Sequence, residues 1–366
     1  MKKVTVIHFV HTLFGGVANV ASNLILHQKE MGWKTVVVYV NYDPSFPVIT
    51  GEDTVLLQTE MKNIPGLSMS FGMNVKEIYD SYTSEHPDET VVCHVHNIQA
   101  LGAFGNWGRV PLLCTLHSLN GKDGGIRKKI SNYLYVIALK RLLKNKKPVT
   151  SVSQAIIDEY AKIPRAGDIT VIHNGTIIDK EKRSKQEKFT IGHVGNLSYA
   201  KGWDTIFDGF CLIPEDIRKN MLLKAAGNEE DFTFQGIMEK AKENGVENQV
   251  ECLGYVANAK EDFISTLDLL ILASRNEGLG LVQAEAMGYG TPVLGRDTGG
   301  ICEILKDKYN GFVIETPEDV AEKIQLLYKD KELYHTLSEN ALTTYSQGFT
   351  SEVMCSKYDE KYMKIL

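Results

Sequence analysis

Apolar runs rich in β-branched residues alternate along this chain with segments of helical periodicity. Val4-Thr-Val-Ile-His-Phe-Val10 reads as a buried, parallel-type strand. The turn Gly15-Gly16 follows. Val17, Val20, Ala21, Leu24 and Ile25 then share one helical face. Gly32 closes that helix, and Thr35–Val40 forms the next strand. Further strands are predicted at Thr90–His96 and Pro111–His117, both ending on polar groups. Val149–Ser153 leads into a Ser-capped helix, and Ile169–His173 ends in Asn174-Gly175. After the charged, strand-free run Asp179–Lys188, strands resume at Phe189–Val194, Leu222–Ala226, Val250–Leu253 and Leu267–Leu272. Pro317–Tyr328 and Lys331–Tyr345 read as helices. Strands alternating with helices predict an α/β protein with parallel sheets. At 366 residues, two domains are expected, and the charged run reads as the linker between residues 1–180 and 181–348.

Composition adds limits. With 43% hydrophobic and 23% charged residues, the chain has enough apolar material for two cores. The apolar runs are strand-sized, short of the ~20 residues that cross a bilayer. Lys2-Lys3 before an apolar segment mimics a signal peptide, but His8 and His11 interrupt it and no small-residue cleavage site follows. Six scattered cysteines with no Cys-x-x-Cys pair predict reduced thiols in a cytoplasmic protein rather than disulfides or zinc. Residues 1–180 carry 19 basic and 15 acidic side chains, and residues 181–366 carry 21 and 31. The halves therefore differ in sign, at +4 and −10. The basic excess concentrates in 122–147, where Lys122, Arg127, Lys128, Lys129, Lys140, Arg141, Lys144, Lys146 and Lys147 face one acid, Asp123. Ile126, Ile130, Tyr133, Leu134 and Ile137 recur there at helical spacing. This is either a solvated basic face on a packed helix or a peripheral contact with an anionic membrane. No nucleic-acid partner is expected.

Candidate chemistry centres on Arg275-Asn-Glu277-Gly278-Leu-Gly280-Leu281-Val282-Gln-Ala-Glu285-Ala-Met-Gly-Tyr-Gly290-Thr-Pro-Val293. A strand ends, a glycine-rich turn follows, and a helix begins near Leu281. In βαβ units ligands sit at that junction, where free helix N–H groups attract anions. Glu277 and Glu285 flank the helix start, on the order of 10 Å apart at ~1.5 Å per helical residue. That spacing suits a ligand with hydroxyl-bearing rings at its ends and phosphates between, although acids near a helix start also serve the dipole alone. Gly15-Gly16 opens a nucleotide-type fold without the G-x-G-x-x-G fingerprint, which disfavours a nicotinamide oxidoreductase. His94 and His96 share a strand face at a spacing zinc can use, but no third ligand is adjacent in sequence, so no metal is expected.

The text Glu-Gly-x-Gly-Leu-Val-x-x-Glu-Ala-Met-x-x-Gly-x-Pro-Val resembles the donor-site motif of retaining GT-B glycosyltransferases, family 4 in particular. The resemblance runs from Gly15 to Phe312. It implies two Rossmann-like domains facing across a cleft, with the C-terminal helix, within 349–366, crossing back onto the first. It implies transfer of a sugar from a nucleotide-sugar, UDP-linked by family frequency, to a glycan or lipid-linked acceptor in bacterial surface polysaccharide synthesis. It places Glu285 on the ribose, Glu277 on the sugar hydroxyls, and Lys201 with the helix start (Gly278, Gly280, Leu281, Val282) on the diphosphate. Gly254, Tyr255 and Val256 resemble the segment that reads the base. Gly15 and Gly16 resemble the loop whose amides face the diphosphate. His117, in Thr-x-His-Ser, resembles the histidine near the reacting carbon. His96 and Asn97 fall on the acceptor side. Asn196 stands where the family usually has Arg, so leaving-group charge falls more heavily on Lys201. No cofactor is expected, and turnover is expected to be metal-independent. The alternatives are an epimerase or phosphorylase acting on a nucleotide-sugar, and a carbohydrate-binding relic of the same fold.

Overall fold

In the computed structural model, the described residues are 3–13, 15–42, 54–61, 73–101, 107–118, 126–184 and 186–366. They form two compact units, Met1–Gly175 with Ser351–Leu366, and Thr176–Thr350. Each is a Rossmann-like domain built on a parallel sheet.

In the first unit, β1 (Lys3–Leu13), β2 (Lys34–Tyr42), β3 (Thr54–Gln58), β4 (Glu89–Val95), β5 (Leu112–Leu116), β6 (Val149–Ser151) and β7 (Thr170–Val171) lie in the order β3-β2-β1-β4-β5-β6-β7. Its helices are α1 (Gly15–Glu30), α2 (Val75–Glu85), α3 (Ile126–Lys144) and α4 (Gln154–Glu159). The order reverses direction between β1 and β4, the position where open sheets leave a crevice at their carboxyl ends. The apolar run of β1 predicted a buried strand, and Val6, Ile7, Phe9 and Val10 are all fully buried. Ser153 caps α4, its hydroxyl accepting from the Ile156 amide at 3.3 Å.

The second unit runs β8 (Phe189–Val194), β9 (Met221–Ala226), β10 (Val250–Cys252), β11 (Leu269–Leu272), β12 (Val293–Gly295) and β13 (Gly311–Val313), ordered β10-β9-β8-β11-β12-β13. Its helices are α5 (Trp203–Cys211), α6 (Glu215–Arg218), α7 (Phe234–Glu243), α8 (Ala259–Asp262), α9 (Leu281–Gly288), α10 (Ile301–Ile304), α11 (Pro317–Lys329) and α12 (Lys331–Gly348). Trp203, Phe207 and Phe210 of α5 pack with Leu269, Ile271, Val320 and Ile324 in its main core. The last helix, α13 (Ser351–Ile365), belongs to the first unit and buries Tyr358 and Tyr362 completely.

Arg183, in the charged run read as a linker, is tied into the second unit. Its guanidinium donates to the Leu267 and Ser265 carbonyls and to the Thr291 hydroxyl. The basic helix α3 buries a broader face than the stripe expected. Leu134 is buried with Ile130 and Ile137 packed against it, Tyr135, Ala138, Leu139, Leu142 and Leu143 are buried as well, and Tyr133 is 66% exposed. Lys122 and Asp123 lie outside the described residues. Among the described residues no helix is long and apolar enough to cross a membrane.

Candidate active site

In the second unit the loops after β8 and β11 meet at the carboxyl end of the sheet. Gly202 adopts φ +73°, and a Cβ there would sit 2.1 Å from the Ala273 carbonyl oxygen. No residue but glycine brings the Lys201 loop so close to the end of β11. Arg275 clamps the same two loops through a two-pronged ion pair to Asp204, at 2.8 and 2.7 Å. Lys201 Nζ then lies 2.8 Å from Glu277 Oε2. These two residues are 76 positions apart, and nothing local in the sequence pairs them. Asn196 is exposed on the loop after β8.

Gly280 caps α9 in the left-handed conformation, at φ +75°. Gly278, Leu281 and Val282 are partly exposed around that cap, and the Gln283 amide donates to the Gly280 carbonyl at 3.0 Å, which leaves the Leu281 and Val282 amides as the ones the helix start can offer an anion. The Asp297–Gly300 loop closes the far wall, with the Gly300 amide donating to the Glu277 carbonyl at 3.1 Å. One turn inside α9, Glu285 interacts with the Thr176 hydroxyl. Burial pushes its carboxyl up to about 7, aided by the charge of Glu261 and opposed by Lys260 and Thr176. Gly254, at φ +68°, accepts from the Gly227 amide at 2.8 Å. The neighbouring Tyr255 is 57% exposed, and Val256 is partly exposed.

The first unit carries a cluster that the sequence did not announce. Strand pairing sets His8 opposite His94, and His96 follows two residues on along the same face. His117 leaves the end of β5 beside them. His8 Nε2 meets Gln28 Oε1 of α1 at 2.8 Å, His8 Nδ1 meets His96 Nε2 at 2.9 Å, and His96 Nδ1 meets His117 Nε2 at 3.4 Å. His94 belongs to a separate branch, bonded to the Tyr362 hydroxyl at 2.6 Å and the Thr115 hydroxyl at 2.8 Å. Burial drives His8 and His117 down to about 4. It holds His94 and His96 well below 6.5, with neighbouring imidazoles adding to the effect. All four rings are neutral at pH 7.

The third histidine missing beside His94 and His96 in the sequence is thus supplied by the fold as His8, and the three rings have ligand atoms within 4.8 Å of one another. A tetrahedral zinc at ~2.0–2.1 Å needs three lone pairs converging on one point. Here the 2.9 Å His8–His96 contact holds a proton, and both His94 nitrogens are engaged by hydroxyls. As folded, the cluster is a hydrogen-bonded array. His96 is buried with both ring nitrogens bonded. Asn97 spends its side-chain oxygen on the Gln99 amide at 3.1 Å, shaping the turn after β4. Gly15 opens α1 at φ +76° with Gly16 beside it, both exposed and with open space where a Cβ would stand. A hollow of about 760 Å³ lies at the ends of β1 to β3, lined by His11, Asn41, Gln58, Thr59 and Glu60.

Comparison with known proteins follows the same division. Residues 14–180 match the family described as Glycosyltransferase Family 4, and residues 175–344 match Glycosyl transferases group 1. A Bacillus anthracis protein named N-acetyl-alpha-D-glucosaminyl L-malate synthase is 26% identical over 272 residues, 70% of this chain and 69% of that one. Among solved structures, HepE from Anabaena in complex with UDP and glucose aligns at TM-score 0.73 and 19% identity, covering 97% of this chain and 98% of HepE. WaaG, a glycosyltransferase involved in lipopolysaccharide biosynthesis, aligns at TM-score 0.74 and 17% identity, covering 97% and 99%. The chain belongs to the GT-B glycosyltransferases of family 4.

Proposed function

We propose that this glycosyltransferase uses a UDP-linked sugar, transfers it with retention, and serves surface polysaccharide synthesis by glycosylating a glycan or lipid-linked acceptor. The observation that carries the donor reading is the Lys201–Glu277 pair beside the open amides of α9, with Glu285 one turn deeper. A nucleotide-sugar satisfies all three parts. Its diphosphate takes the Lys201 ammonium and the helix amides, its sugar hydroxyls donate to Glu277, and its ribose hydroxyls donate to Glu285. The exposed Tyr255, with Gly254 and Val256, fits the base segment. Arrival of the donor exchanges the Lys201–Glu277 contact for one contact apiece with phosphate and sugar, so neither charge is left unpaired. When the glycosidic bond to phosphate breaks, negative charge grows on the leaving diphosphate. Lys201 and the α9 amides stabilise that charge without help from an arginine at position 196. The family resemblance assigns Gly15 and Gly16 to the same diphosphate and His117 to the sugar. It also underlies the assignment of retention, with the leaving phosphate accepting the acceptor's proton.

The hollow lined by His11 and Glu60 offers polar room for an acceptor. The relatedness to WaaG in fold supports the polysaccharide role. Exposed Lys129, Lys140, Lys144 and Lys146 on or just after α3 are consistent with peripheral contact at the inner face of an anionic membrane. Pelleting with anionic liposomes at low salt tests that contact, and failure to pellet rejects it.

The test of the donor reading is a panel of nucleotide-sugars incubated with the purified chain, with release of nucleoside diphosphate as the readout. A UDP-sugar should be consumed, and the Glu277→Ala variant should lose consumption while remaining folded. Equal consumption by wild type and variant overturns the assignment. Conversion of the sugar without an acceptor, and without release of diphosphate, favours an epimerase.

A further inference from the structure

We propose that Gln28 is a positioning residue that fixes the tautomer of His117 through a file of hydrogen-bonded histidines, leaving the Nδ1 lone pair of His117 bare. This rests on the reading that His117 meets the donor sugar.

The argument is a count of protons. The file Gln28–His8–His96–His117 has three links, at 2.8, 2.9 and 3.4 Å, and one free end, His117 Nδ1. Burial keeps the three rings neutral, so each carries one N–H. Three protons must fill three links and one end. The Gln28 carbonyl oxygen accepts, so His8 carries its proton on Nε2 and offers Nδ1 as an acceptor. His96 then donates from Nε2 and accepts at Nδ1, and His117 donates from Nε2. No proton remains for His117 Nδ1. That atom is buried and has no hydrogen-bond partner among the described residues. It awaits a donor, and a sugar hydroxyl supplies one. Reversing the amide of Gln28 would reverse every link and turn His117 Nδ1 into a donor. One buried amide on α1 therefore decides whether the site recognises a hydroxyl proton or a lone pair.

The geometry also explains why a Gln occupies a fully buried position on α1. Its Nε2 is buried with no hydrogen-bond partner among the described residues, so the 2.8 Å contact with His8 Nε2 is the one hydrogen bond this amide makes there.

The test labels histidine nitrogens with ¹⁵N in the full-length chain, reads the ring tautomers by NMR, and assigns the His117 signal by its loss in His117→Ala. Wild type should carry the His117 proton on Nε2. Gln28→Leu should move it toward Nδ1 or into exchange. The kcat of that variant should fall about five- to tenfold, the population change that goes with one net hydrogen bond, while donor KM stays within about twofold. Gln28→Glu keeps an acceptor and should restore both the Nε2–H signal and most of kcat. The proposal is overturned by any of four results: an Nδ1–H form in wild type, a Gln28→Leu variant with an unchanged His117 tautomer, a Gln28→Glu variant as impaired as Gln28→Leu, or stoichiometric zinc in the purified protein. The tautomer needs no substrate to be read. Normal turnover by His117→Ala would instead sink the sugar contact, whatever the tautomer proves to be.

Discussion

Glu285 offers the most quantitative test, because burial sets its proton affinity and the proposed ligand changes it. Its carboxyl is raised from 4.5 to about 7, mainly because ionising it inside the second unit forfeits solvation. The folded state therefore holds this proton more tightly than the unfolded chain does. The stabilisation is complete below pH ~4.5 and is lost as pH rises through 7. The gap corresponds to about 3 kcal/mol at ~1.4 kcal/mol per pH unit. The residue keeps some solvent contact, so about half of that, 1–2 kcal/mol, is the working figure. For a unit of this size roughly 2–4 °C accompany each kcal/mol, giving about 3–6 °C. Calorimetric melting of wild type and Glu285→Gln at intervals between pH 5 and 8 isolates the effect, since all other groups titrate alike in both. Wild type should lose roughly 3–6 °C more than the variant across that range. Parallel profiles would refute the reasoning, because they would mean that Glu285 titrates as an ordinary surface acid. The ligand adds a second sign. In the proposed complex ribose hydroxyls donate to the ionised carboxylate, so UDP affinity should increase with pH through 7 in wild type and show no such step in Glu285→Gln.

The remaining predictions concern the loops around that residue. Lys201→Ala should lower kcat by about 10²–10³, the usual effect of removing one group that stabilises a leaving-group charge; Lys201→Arg should recover part of it, as steady-state assays with the preferred UDP-sugar would show. Gly202→Ala should lower the melting temperature by about 5–10 °C, from a ~2–3 kcal/mol clash of its Cβ with the Ala273 carbonyl and the left-handed backbone; an unchanged melt would place the loop elsewhere. Turnover should survive EDTA, and a loss of activity restored by manganese would require a metal in the donor site.

Much of the fold could be read from local pattern. Apolar runs bounded by glycine located β1, β8 and β11, and the Glu277–Pro292 text located α9 and its glycine cap, because those features depend on residues near one another in the chain. What escaped the sequence depends on distance. Lys201 and Glu277 meet through the parallel pairing of β8 with β11, and His8 and His94 through that of β1 with β4. In the sequence His8 was only an interruption in an apolar run. Two histidines on β4 looked one ligand short, and Gln28 was a polar residue in an amphipathic helix. No periodicity identifies a hydrogen-bond file that links a helix, a strand and the ends of two more strands. The buried face of α3 is broader than the stripe of Ile130, Leu134 and Ile137 for a related reason. Apolar residues occur nearly all round that helix, so the buried side is chosen by what packs against it rather than by spacing. The raised carboxyl of Glu285 likewise comes from its surroundings, since at an exposed helix start the same Glu would titrate normally.

The central claim is that Lys201, Glu285 and the open amides of α9 grip a nucleoside diphosphate. Calorimetric titration of the intact chain with UDP tests it most directly, alongside Lys201→Ala and Glu285→Gln. Saturable one-to-one binding by wild type, weakened about tenfold or more in each variant, is the predicted result, a loss of ~1.4 kcal/mol or more apiece. Binding of equal strength in all three proteins, or none in wild type, would contradict the account.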